Sequence, residues 1–176
     1  VIVLIHIHQL LPIYISNHLK QDASIYASAE VLQALGALSA GLGIHRVFMK
    51  TNTIKAIIIL MSLAIVTLLI LVFTKSSIIL VLSCFVLGLT NSGSRIMRVT
   101  YIFNHIPNNI IGRTGSVFQS INIFLRFTFI GIFSVAFFSE DNNIIWTYFI
   151  GAGFILLSLY PLIFYYKRLI NLKQPD

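Results

Sequence analysis

NNIIWTYFIGAGFILLSLYPLIFYY, residues 142–166, holds 25 consecutive positions without Lys, Arg, Asp or Glu. As a helix rising ~1.5 Å per residue it has ample length to cross ~30 Å of hydrocarbon. Working outward, AIIILMSLAIVTLLILVF at 56–73 and SSIILVLSCFVLGLTNSGS at 76–94 add uncharged runs of 18 and 19 residues. Apolar segments place six spans at 1–18, 24–45, 56–74, 77–95, 114–138 and 144–166. The predicted fold class is all-α, a polytopic membrane helix bundle. Connections between the spans are short and no linker interrupts them, so 1–176 reads as one domain.

A net charge of +7 on a soluble chain points to nucleic acid or acidic lipid, but 57% hydrophobic residues and a mean hydropathy of +0.92 leave too little polar surface for that. The cations are divided among short loops instead of forming one stripe, so no nucleic-acid partner is expected. Their distribution instead reports orientation. Arg46, Lys50, Lys55, Arg95, Arg98, Arg113, Lys167, Arg168 and Lys173 fall on alternate connections and the tail, whereas the other side has only Lys20 and Lys75, beside Asp22, Glu140 and Asp141. By the positive-inside rule the second, fourth and sixth spans run inward and the C-terminus is cytoplasmic. The chain opens at Val1 inside apolar sequence, without a basic lead-in or small-residue cleavage site, and reads as an excised piece whose first helix has lost turns at its cytoplasmic end. A single cysteine, Cys84, offers no disulfide or cysteine metal cluster.

The spans differ in polarity. The third and sixth are plain and are expected to face mostly lipid. The first (His6, His8, Gln9, Pro12, Asn17), the fourth (Ser83, Gly88, Thr90 to Ser94) and the fifth (Gln119, Ser120, Asn122, Arg126) each need a face toward protein or water, because bare polar groups in hydrocarbon are costly. Ala37 with Gly41, and Ser39 with Gly43, are small pairs at i and i+4 that suit close helix contact. Trp146, Tyr148, Tyr160, Tyr165 and Tyr166 suit interfacial anchoring.

Arg126 is the sharpest single feature: counted from Thr114 it lies roughly 18 Å deep, near the membrane centre, where a guanidinium needs an anionic substrate group, a charge partner or water. Glu30 is the one acidic residue well inside a span, a candidate for proton coupling or for pairing with Arg126. His6 and His8 stand about 200° apart on a helix and do not suit one metal ion, so no metal site is expected. Of His6, His8 and Gln9, one side chain facing a cavity while another packs on a helix is the simpler arrangement. Asn91 to Ser94 with Gly88 fit either a cavity wall or a tight helix seam. No phosphate-binding glycine loop and no nucleophile with a recognisable base is present, so neither a cofactor nor enzyme activity is expected.

Gly41, His45 and Arg46 in GLGIHR, with Lys50 beyond, resemble the cytoplasmic motif after the second helix of each half in the major facilitator superfamily, with His45 where the family commonly has aspartate. Pro107, Gly112 and Arg113 in HIPNNIIGRTGSVFQ resemble the connection into its penultimate helix, and QLLPIYISNHL completes the likeness to the C-terminal six-helix half of a bacterial exporter-like member. The resemblance implies an N-terminal six-helix half as partner, a central cavity lined by the first and fourth spans, contact with the other half through the second and fifth, and peripheral third and sixth spans. It further implies secondary transport of a small organic solute, as exporter or proton-coupled permease, in a bacterial inner membrane. The expected substrate-facing set is His6, Gln9, Asn91 and Arg126, with Glu30 for coupling and Arg46 and Arg113 for cytoplasmic gating or anchoring. The alternative is a non-transporting membrane scaffold or assembly subunit, which would lock Arg126 in static protein contacts.

Overall fold

The computed structural model describes residues 2–48, 51–74, 76–139 and 143–170, so Lys50, Lys75, Glu140, Asp141 and Lys173 lie outside it. A leading helical run consists of α1 (Ile2–Ile5), a π-wound turn (His6–Leu10), α2 (Leu11–Ile13) and a second π-wound turn (Tyr14–His18). Five helices long and apolar enough to cross a membrane follow: α3 (Ala23–Phe48), α4 (Thr53–Phe73), α5 (Ser77–His105), α6 (Ile111–Phe133) and α7 (Ile144–Phe164). A short α8 (Tyr166–Ile170) comes after α7. The chain is an all-α, polytopic membrane bundle. The six expected spans become five full-length ones and a distorted run that is not among the helices long enough to cross.

Pro12 accounts for part of the distortion. It lacks the N–H that would bond the carbonyl four residues back, and the chain before it widens, with the Leu11 N–H reaching the His6 carbonyl. The run closes where Lys20 adopts a left-handed φ of 52°, letting the Gln21 N–H reach the Ile15 carbonyl at 3.1 Å.

α5 is the spine of the bundle. It packs along α3 on one side and α4 on another, and α4 in turn packs on α7. One core level gathers Ile44, Ala56, Ile57, Leu60 and Met97. That level sets the end of α3 beside the start of α4 and the later half of α5, which brings Arg46, Lys55 and Arg98 to one end of the bundle. The main core, toward the other end, includes Tyr14, Ala29, Leu71, Leu80, Ile144 and Tyr148. There the Tyr14 hydroxyl lies 3.1 Å from both the Leu71 and Thr74 carbonyls and ties the leading run to the end of α4. Tyr14→Phe is expected to cost about 1 kcal/mol, measured as a lowered unfolding midpoint in detergent micelles.

Three expectations are corrected. α4 is the most enclosed of the five long helices rather than among the least: 44% of its apolar window is buried, against 11% for α6, and α7 turns Ile144, Thr147, Tyr148, Gly151 and Ile155 inward. Apolar composition suits lipid and protein neighbours equally, so plainness did not mark the outside. α5 runs on to His105 rather than ending near Arg95, and α6 spans Ile111–Phe133 rather than 114–138. Finally, the close seam of α3 uses neither Ala37 with Gly41 nor Ser39 with Gly43. It uses Ala29, Gly36 and Ala40, while Gly41 and Ser39 are exposed. A methyl group on Gly36 would overlap the Phe85 carbonyl and one on Gly88 would overlap the Gln33 carbonyl, so the two glycines admit each other's helix.

Candidate functional site

The π-wound turn His6–Leu10 sends three side chains to three different helices. His6 enters the groove against α7, with Nδ1 3.0 Å from the Ile2 carbonyl and Nε2 2.7 Å from the Thr147 carbonyl. Gly151 makes room for it, since a Cβ there would overlap the ring. Gln9 donates from Nε2 to Ser134 Oγ at 3.2 Å, while Ser134 itself donates to the Ile130 carbonyl at 2.7 Å. Ser134 thereby marks the end of α6, after which the chain tightens into a 3-10 turn at Ala136–Ser139. His8 turns the opposite way, toward α3, and its Nδ1 lies 3.6 Å from Glu30 Oε1. The same carboxylate oxygen accepts a 2.6 Å hydrogen bond from the Tyr26 hydroxyl, one turn earlier on α3.

His8 and Glu30 are each nearly half exposed, at 46% and 44%. An ion pair in that setting contributes little to stability and forms and breaks readily. It exists as an ion pair only when His8 carries a proton, so its strength follows proton occupancy. Position on α3 puts Glu30 seven residues from Ala23, about 10 Å from the helix end, within reach of water from that side.

The expected substrate-facing set does not converge. His6 is 1% exposed and fully engaged with α7, so it is a packing residue in this state and not a cavity-facing one. Gln9 is half-buried and pins the end of α6, with its Oε1 buried and without a partner among the described residues. Asn91 is half-buried on α5 and makes no side-chain hydrogen bond among the described residues. Arg126 is exposed and has no partner among them either. It sits seven residues before Phe133, about 10 Å from the far end of α6, because α6 starts earlier and stops sooner than its apolar sequence suggested. Glu30 and Arg126 match in depth, but the partner of Glu30 is His8. Arg46 is exposed in the last turn of α3, and Arg113 is exposed in the first turn of α6 beside a shallow groove lined by Thr114, Val117, Phe118 and Ile121.

Sequence reasoning missed Tyr26 and undervalued His8. Tyr26 and Glu30 stand at i and i+4 on one helix, a spacing that already brings two side chains together, and it was the available signal. The His8 contact crosses between elements and had none. Tyr148, expected at an interface, is instead buried, with its ring 5.1 Å from that of His6 and 5.2 Å from that of Tyr14. In the fourth span the open choice between cavity wall and seam falls to the seam for Gly88 and Gly93, the latter against Ile44 and Leu60.

Fold and site together define a multi-span helical membrane protein whose first segment is joined by polar side chains to three later helices. Comparisons with protein-family models, with characterised proteins and with solved structures find no match for this chain.

Proposed function

We propose that the chain is half of a secondary active transporter of the major facilitator type, moving a small organic solute in exchange or in step with protons. The half-open His8, Glu30 and Tyr26 cluster carries the reading: a titratable pair bridging two helical segments near water lets proton occupancy and helix position influence one another. Support comes also from coverage. α3 and α6, which the family resemblance assigns to contact with a second six-helix half, are the least enclosed of the long helices, at 22% and 11% of their windows. The stripe Gln119, Asn122 and Arg126 on one face of α6 has the chemistry to meet an anionic group of the solute. In this reading the protein resides in a bacterial inner membrane with its C-terminus in the cytoplasm, and Arg46 and Arg113 act on the cytoplasmic side.

Flux measured in proteoliposomes tests it, using a panel of small organic anions under an imposed pH gradient. Arg126→Ala is expected to lower flux of the transported anion by about ten- to a hundredfold, the loss of one charge-assisted contact. Unchanged flux would remove Arg126 from solute binding. Absence of flux with every solute and gradient would leave the scaffold or assembly-subunit reading in its place.

A further inference from the structure

The geometry around His6 demands more hydrogens than a neutral imidazole owns. Both ring nitrogens face main-chain carbonyl oxygens, at 3.0 Å for Ile2 and 2.7 Å for Thr147. A carbonyl oxygen only accepts, so meeting both takes two N–H groups, and the ring has two only when protonated. In a neutral ring, the bare nitrogen would aim its lone pair at an oxygen lone pair. The cradle is shaped for this orientation: Gly151 leaves the ring its space, Phe133 of α6 meets it edge-on at 5.6 Å, and Tyr148 of α7 lies against it at 5.1 Å.

Among the described residues no carboxylate is paired with His6. Glu30 is occupied by His8 and Tyr26; the titratable groups nearest the cradle are Tyr148 of α7, Tyr14 of the leading run and Cys84 of α5 beside Tyr148, while the same elements also carry His8 and His18 on the leading run and Arg126 on α6, seven residues before Phe133. Two carbonyls therefore work against the desolvation of a protonated ring. Opposed terms of this kind make occupancy sensitive to any movement of the cradle.

We propose that His6 is a proton-binding site whose occupancy is linked to docking of the leading run on α7. With the proton bound, the ring bridges Ile2 and Thr147. When the proton leaves to water, only one N–H remains and one of the two bonds opens. If the ring keeps the bond to Ile2, within its own turn, the leading run is released from α7. Linkage works in both directions, so undocking in turn favours proton release. This extends the coupling reading above by adding a buried site to the half-open pair, and it is read without any solute, so its failure and the failure of that reading are distinguishable.

The test is solid-state NMR of histidine-¹⁵N-labelled protein in lipid bilayers, followed from about pH 5 to about pH 8, the range where imidazoles change charge. His6 is assigned as the signal lost in His6→Gln or, should that variant not fold, as the one remaining when His8, His18, His45 and His105 are all replaced by Gln. Two protonated nitrogens at the acidic end giving way to one at the alkaline end is the expected result. Gly151→Ala, which pushes the ring off Thr147, is expected to abolish the two-proton signal at the acidic end. A His6 ring that stays neutral throughout, stays doubly protonated throughout, or is unaffected by Gly151→Ala overturns the proposal.

Discussion

Gly88→Leu will separate α3 from α5 and cost at least about 3 kcal/mol, enough to unfold a large fraction of a marginally stable protein near room temperature. Even Gly88→Ala is expected to cost about 1–3 kcal/mol, because the new methyl meets the main-chain carbonyl of Gln33 and not a side chain that could turn aside. Membrane helices gain little from removing apolar area from water and depend on close packing between backbones, so a widened seam has no compensating term. Gly36, facing the Phe85 carbonyl and the Leu89 nitrogen across the same seam, should behave alike. Gly41→Ala is the control: nothing lies within 4 Å of its added methyl, and its effect should stay within about 0.5 kcal/mol. Reversible unfolding in mixed micelles reads all four variants. A Gly88→Leu protein as stable as the parent would mean that this seam does not hold the bundle together.

Glu30→Gln is expected to reduce pH-gradient-driven flux by about 5- to 150-fold, the range that a coupling free energy of ordinary size spans. The amide keeps the size of the carboxylate and can still bond the Tyr26 hydroxyl, but it neither titrates nor attracts a protonated His8. Solute exchange without a gradient should continue, because that process needs helix movement but no net proton transfer. His8→Gln should show the same separation of driven from undriven flux, and Tyr26→Phe a smaller loss, since it removes one hydrogen bond and leaves both titrating groups. Driven flux is read by stopped-flow fluorescence of a trapped pH dye in proteoliposomes, and undriven exchange by uptake of labelled solute into solute-loaded proteoliposomes. Equal gradient-driven flux in the parent and Glu30→Gln would place coupling elsewhere.

Much of the architecture is legible from residues alone because hydrocarbon imposes one strict rule. Backbone polar groups must be satisfied within the segment, so uncharged runs such as 56–73 become helices whatever their neighbours are. Helix ends were less legible. α6 ends at Ser134, where Gln9 from far away in the chain bonds the Ser134 hydroxyl, whereas the apolar sequence continues through Phe138. The widened turns of the leading run start from Pro12, which is visible, but their extent depends on the contacts of His6 and Tyr14.

The candidate site divides along the same line. Composition, through the alternation of apolar runs and basic connections, determined by itself that the chain is a bundle of membrane-crossing helices, and singled out His6, Gln9, Glu30 and Arg126 as polar groups that need an explanation. Only the tertiary structure decided which face of each helix is inside. It chose Gly36 over Gly41, enclosed α4, buried His6 against α7 and gave Glu30 to His8. The physical reason is that lipid tails and protein interiors are equally apolar, so hydropathy reports whether a segment lies in the membrane, while steric fit and pairing of polar groups between helices determine what it touches.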